Sequence, residues 1–205
     1  MSTRIDIIQS SSPAPIGATL MKTGQTTSYR TGDDGDIEAG RATDFFTLAE
    51  NNPFGNINRF TDELGTQVYA NDIVIDWSTY NGSDVLGYKI TEYSVTSWNQ
   101  AIDDCLATSI SIFTNNWRLT NTNELDNICW WGSTSHLNHS TSSSASPFLL
   151  GGVWEAWTST TYLGSTSSAV TRNHGGTRLT RAKTSATPTK AWACRTFTVT
   201  GTTLS

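Results

Sequence analysis

A chain of 205 residues with 13 Lys and Arg, 18 Asp and Glu and a formal net charge of -5 is long enough to bury a full core and is mildly acidic. It shows no basic patch of the kind that tracks a phosphate backbone, which argues against nucleic acid as a partner, and no apolar run long enough to insert in a membrane. Eight Trp, 16 Gly and abundant Ser and Thr describe strands, turns and neutral polar loops, a surface suited to contact rather than to proton chemistry.

In chain order, the first fifteen residues lack the apolar core and small-residue cleavage site of a secretory signal, so no export signal is expected. Residues 5–8 fit a short strand and 10–15 a linker, and 1–21 together form a terminal arm that either docks on a neighbouring subunit or frays. Residues 22–44 are dense in Gly, Thr and Asp and read as tight turns. Asp33, Asp34 and Asp36 among them offer carboxylates to a calcium ion, but without the D-x-D-x-D-G spacing and distant Glu of a calcium loop; solvated turn carboxylates are the simpler reading.

The segment Arg59-Phe60-Thr61-Asp62 predicts a turn feeding a strand over 65–69, and the β-branched run 73–77 a buried strand. Tyr80-Asn81-Gly82 signals a turn before a strand over 85–93. Trp98, Ile102 and Cys105 then recur at i, i+4 and i+7, with Asn99, Gln100, Asp103 and Asp104 opposite, which predicts an amphipathic helix with Thr96 as N-cap. Asn121 and Glu124 form a capping-box-like start for a second helix that carries Leu125, Ile128 and Cys129 on one face. Residues 132–152 are a long Ser-rich loop, and short strands are expected over 153–161, 169–172, 177–182 and 192–199. Three cysteines allow at most one internal disulfide and leave one thiol.

Trp98 through Cys105, W-R-L-T-N-T-N-E-L at 117–125, W-T-S-T-T-Y at 157–162 and A-W-A-C-R at 191–195 together resemble the ordered signature of the Lcl-type domain. That domain occurs at the C-terminus of bacterial collagen-like adhesins and in phage surface proteins. K-T-G-Q-T-T-S-Y, T-G-D-D-G-D and R-F-T-D are similar to its leading segment, so the resemblance spans roughly 22–197 and the domain is placed at 22–205. Thr120 stands where the family prefers Pro. The resemblance implies an α+β, C-type-lectin-like fold: two short helices packed on a small twisted antiparallel sheet with long loops. It also implies a disulfide from the first helix to the last strand, Cys105 to Cys194, which would stabilise by about 2–5 kcal/mol. Cys129 would then be an unpaired buried thiol.

Trp98, Trp117, Leu125, Trp157 and Trp192 are expected in the core and Arg118 as a clamp on carbonyls. The calcium-dependent sugar triplets of C-type lectins are missing; the nearest text, Trp154-Glu155-Ala156, lacks their Asn and Asp. His136 and His139 have H-x-x-H spacing but no third ligand for zinc. Distant formylglycine-generating enzymes of the lectin-like fold use a cysteine pair, here expected to be committed to a bridge, and no nucleophile, base and acid converge elsewhere. Neither enzyme activity nor a cofactor or metal is expected.

What is left is contact. In the implied fold the loops 132–152 and 162–178 lie opposite the joined termini, and they offer His136, Asn138, His139, Tyr162, Arg172, Asn173, His174 and Arg178 to a carbohydrate or a protein epitope. Phe148, Leu149 and Leu150 compete for that surface as an apolar triplet that a subunit interface would cover. The resemblance therefore implies a non-enzymatic virion surface protein on a tail or head fibre or a capsid decoration. It would be tethered to other virion proteins through its arm, a homo-oligomer with a trimer implied by family analogy, and bound to a host-surface glycan or protein. A purely structural decoration protein is the alternative, and a bacterial surface adhesin the third reading.

Overall fold

The structure is a computed structural model and describes residues 52–55, 58–128, 154–173 and 176–205, together with Thr31 and Phe148. The terminal arm, the acidic turns at 33–36, Cys129 and most of the loop 132–152 lie outside the described residues.

Strand follows strand along the chain: β1 (Phe60–Thr61), β2 (Ile73–Asp76), β3 (Asp84–Lys89) and β4 (Tyr93–Ser94). Helix α1 (Trp98–Leu106), β5 (Arg118–Leu119) and helix α2 (Thr122–Asn127) come next. The chain then runs through β6 (Glu155–Thr161), β7 (Ser168–Asn173), β8 (Arg178–Ala182), β9 (Lys190–Ala191), β10 (Ala193–Thr200) and β11 (Thr203–Leu204). These strands make two sheets. One has the order β1-β2-β3-β10-β11 with β5 added on β10; the other has the order β4-β9-β6-β7-β8.

Eleven strands in two sheets, with only two α-helices among the described residues, overturn the expected α+β lectin-like fold and place the molecule nearer a β-sandwich. The implied lectin fold concentrated the strands in one small sheet, whereas the chain spreads them over two.

Alternation sorts the core into two layers. On the first sheet Ile73, Ile75, Val85, Ala193 and Phe197 face one way, into a cluster closed by Ala101 and Cys105 of α1 and by Trp157, Ala169 and Ala191 of the second sheet. Val74, Tyr88, Trp192 and Cys194 face the other way, into a cluster with Phe60, Leu125 and Ile128 of the α2 segment, Phe148 and Trp154. Both faces of this sheet are therefore buried.

That sorting corrects the expected disulfide. Cys194 does share a face with Trp192, but it is the face turned away from α1, and Cys105 and Cys194 are free buried thiols. Phe148 is also reassigned: its ring makes edge contacts with Phe60 and Tyr88 at 6.0 and 5.9 Å, so it is spent inside its own chain rather than at an interface.

Local chemistry accounts for the other differences. The N-cap of α1 is Ser97, whose hydroxyl accepts from the Gln100 N–H, while Thr96 donates its N–H and hydroxyl to the Gln100 side chain. No strand forms over 65–69, because the Asp62 carboxylate accepts the backbone N–H groups of Leu64 and Thr66 and curls the segment, and Tyr69 has a left-handed φ of 53°. The single strand expected over 85–93 is split: Asp72 captures Ile90 and Thr91, and the chain crosses to β4 in the other sheet. The capping box at Asn121 and Glu124 forms as expected.

Trp117, Leu125, Trp157 and Trp192 are buried, and Trp98 is partly buried, packed at the margin of the first cluster with the Lys183 ammonium 3.9 Å from its ring centroid. Arg118 clamps a carboxylate rather than carbonyls: Nη1 donates to Glu124 at 2.7 Å. Behind α2, the fully buried Arg59 holds Asp76 through two hydrogen bonds of 2.8 Å and donates to the carbonyl of Asn127, whose amide donates to Asp76 at 2.9 Å. This network fastens the C-terminal end of α2 to β1 and β2.

Candidate functional site

On the second sheet, β7 and β8 pair with Val170 opposite Thr180 and Arg172 opposite Arg178. Period-two alternation puts these four side chains on one face, the face that α2 partly covers. Where α2 stops short, a cleft of about 540 Å³ opens. Val170, Leu179, Thr180 and Thr160 line it from the sheet, Asn121, Thr122 and Asn123 from the start of α2, and Tyr162 and Arg178 complete its lining.

The wall is tied to the sheet at several points. Thr122 donates its N–H to the Thr160 hydroxyl at 3.1 Å, its own hydroxyl is 3.1 Å from that of Thr158, and Thr158 donates to the Val170 carbonyl at 2.7 Å. These bonds fix the spacing between α2 and β6 and hence the width of the cleft. Tyr162 begins the β6–β7 connection and is 44% exposed. Its ring lies against Gly164, where an added Cβ would come within 2.6 Å of it, so Gly164 is what lets the ring settle there. Leu163 beside it is fully exposed.

Asp126 anchors the charged end. Arg172, only 2% exposed, approaches it at 2.8 Å from beneath, and Arg178 donates from Nε at 2.7 Å and also from Nη2 on the exposed side. The guanidinium of Arg178 is thereby held over the cleft by a fixed carboxylate.

Of the residues expected at a contact surface, the structure brings Tyr162 and Arg178 together in this cleft. Arg172 is instead a buried support for Asp126, because its strand position falls under α2. Asn173 closes a turn, accepting from the Thr177 N–H at 2.8 Å and donating its own N–H to the Thr177 carbonyl. His136, Asn138, His139 and His174 lie outside the described residues. Sequence reasoning missed Thr160, Thr180 and the 121–123 segment. The alternation of W-T-S-T-T-Y marks Thr158 and Thr160 as facing one side, but nothing in it says that α2 stands there.

The chemistry available is hydrogen bonding and stacking. The thiols are turned away from reactivity: burial pushes Cys105 up to about 12 and Cys194 well above its ordinary value. Among the described residues no three His, Cys, Asp or Glu side chains converge on a possible metal position, and no helix is long and apolar enough to cross a membrane. No family model, curated protein or solved structure matches this chain.

Proposed function

We propose that this chain is a non-enzymatic surface protein of a phage particle, carried on a tail or head fibre or as a capsid decoration, and that its cleft engages a hydroxyl-rich glycan of the host surface. The observation that carries the reading is the composition of the cleft: an exposed Tyr162 ring beside Thr hydroxyls, Asn amides and a fixed Arg178. A ring to stack on, with short polar groups at hydrogen-bond range around it, is the complement of a sugar. Arg178 is positioned by Asp126, a carboxylate that it shares with Arg172. The particle setting is supported by the ordered W-R-L-T-N-T-N-E-L, W-T-S-T-T-Y and A-W-A-C-R segments, whose similarity is to Lcl-type sequences of phage and adhesin surfaces.

The test has two parts. Particles lacking the protein should assemble but adsorb less to host cells, and purified protein should compete with them for adsorption. Unchanged adsorption together with lower particle robustness would instead favour a purely structural decoration.

A further inference from the structure

One carboxylate on α2 serves two arginines. Arg172 approaches Oδ1 of Asp126 at 2.8 Å, and Arg178 approaches Oδ2 through Nε at 2.7 Å and also through Nη2. The carboxylates nearest in sequence on α2 and β6 are matched one to one, Glu124 by Arg118 and Glu155 by Arg181. The cluster at the charged end of the cleft therefore holds two guanidinium groups against one carboxylate, an excess of one positive charge. Apart from Arg178, no residue lining the cleft is charged.

That excess charge is within reach of a ligand. Arg172 is covered, whereas the side chain of Arg178 is 53% exposed and lines the open cleft. A guanidinium offers its donors along two edges that can each take a carboxylate. Asp126 occupies the edge formed by Nε and Nη2. On the other edge Nη1 has no acceptor among the described residues, and Nη2 has only a 3.4 Å contact with the Asn123 amide oxygen. Because Asp126 already fixes the side chain, a ligand at this edge has little rotamer freedom left to quench.

We infer that the glycan taken by the cleft is an acidic one, and that a sugar carboxylate binds the Nη1–Nη2 edge of Arg178. The inference rests on the glycan reading of the cleft and adds the charge of its ligand. A planar carboxylate fits the paired donors of that edge and cancels the single excess charge. A neutral sugar leaves the charge unanswered, and a phosphate ester, with close to two negative charges at neutral pH, exceeds it.

The experiment titrates the full chain by ¹⁵N NMR, following the amide signals of Thr160, Tyr162 and Thr180. The probes are methyl glucuronide, methyl glucoside as its neutral counterpart, and a phosphate ester of methyl glucoside. The glucuronide is expected to bind several-fold tighter than the glucoside at low ionic strength, with the gap narrowing as salt is added. Arg178→Gln should abolish that preference, and Arg178→Lys, which keeps the charge but not the paired edge, should restore only part of it. Melting temperatures show whether each variant is folded, and the wild-type comparison decides the question without them. Equal binding of glucuronide and glucoside would overturn the inference and leave the glycan reading standing. No saturable shift with any of the three would overturn both. Tighter binding of the phosphate ester than of the glucuronide would overturn the assignment to a carboxylate.

Discussion

Cys105 and Cys194 sit on opposite sides of the sheet that carries β10: Cys105 faces α1's own core layer, and Cys194 turns toward Glu124, whose carboxylate oxygen is 3.5 Å from its sulfur. A bridge between them would require one side chain to cross its own strand, which side-chain alternation forbids. Both thiols are buried with raised pKa values, so neither presents a thiolate. Alkylation of the native protein without reductant is expected to leave both unlabelled, and alkylation after denaturation, still without reductant, to label both. A mass two hydrogens lighter with both blocked would mean that the bridge forms.

The buried pair of Arg59 and Asp76 makes a second prediction. Both side chains are wholly inaccessible, and each satisfies the other along with Ser78 and Asn127. Asp76→Asn removes the counter-charge and leaves the cation in the core, at a cost of about 3–5 kcal/mol. Chemical denaturation is the measurement, and Arg59→Met with Asp76→Asn together should cost less than the sum of the two single changes.

Gly87 on β3 is a packing prediction. An added Cβ would stand 2.5 Å from the Phe197 ring and 2.9 Å from Ile75, both fixed in the core between the sheets. Gly87→Ala should destabilise by about 1–3 kcal/mol through overpacking. Gly82, whose added Cβ would meet nothing within 4 Å, is held instead by its φ of 101°.

How far the sequence could be read follows from which features are local. The start of α2 was legible because a capping box is written in two residues three apart, Asn121 and Glu124. The longer strands β2, β6, β7, β8 and β10 were legible within two residues from their alternation, whereas the two-residue strands β1, β4, β5, β9 and β11 carry too short a pattern to be read. The division into two sheets was not, because it depends on Asp72 capturing Ile90 and Thr91 and sending the chain across to β4. The same reason separates Tyr162 and Arg178 from Arg172 as surface residues: all three have polar ends, and only the position of α2 decides that Arg172 is covered.

Acid sensitivity should trace to three carboxylates, Glu124, Glu155 and Asp72, the last raised by burial but held low on balance by hydrogen bonds from Lys89 and Thr91. Burial alone would raise the Glu124 carboxyl, but hydrogen bonds from Arg118 and the Asn121 N–H outweigh it and hold it below the usual range; Arg181 and Thr171 do the same for Glu155. A carboxylate depressed in the folded state contributes stability that is complete above its unfolded-state pKa and disappears as pH falls through the folded value. The melting temperature should therefore be level near neutrality and fall as the pH drops below about 4. Glu124→Gln should lower the neutral plateau and flatten the acid limb; a curve parallel to wild type would exclude Glu124 from the effect.

The cleft is tested most directly by comparing wild-type protein with Tyr162→Ala for binding to host-envelope glycans, with the melting temperature of each recorded. The side chain is exposed and its loss should leave the fold intact, while removing one stacking face, roughly 1 kcal/mol, should weaken binding several-fold. Saturable binding by wild type, reduced in the variant at an unchanged melting temperature, is the predicted result. Equal binding by the two proteins, or none by wild type, would contradict the assignment.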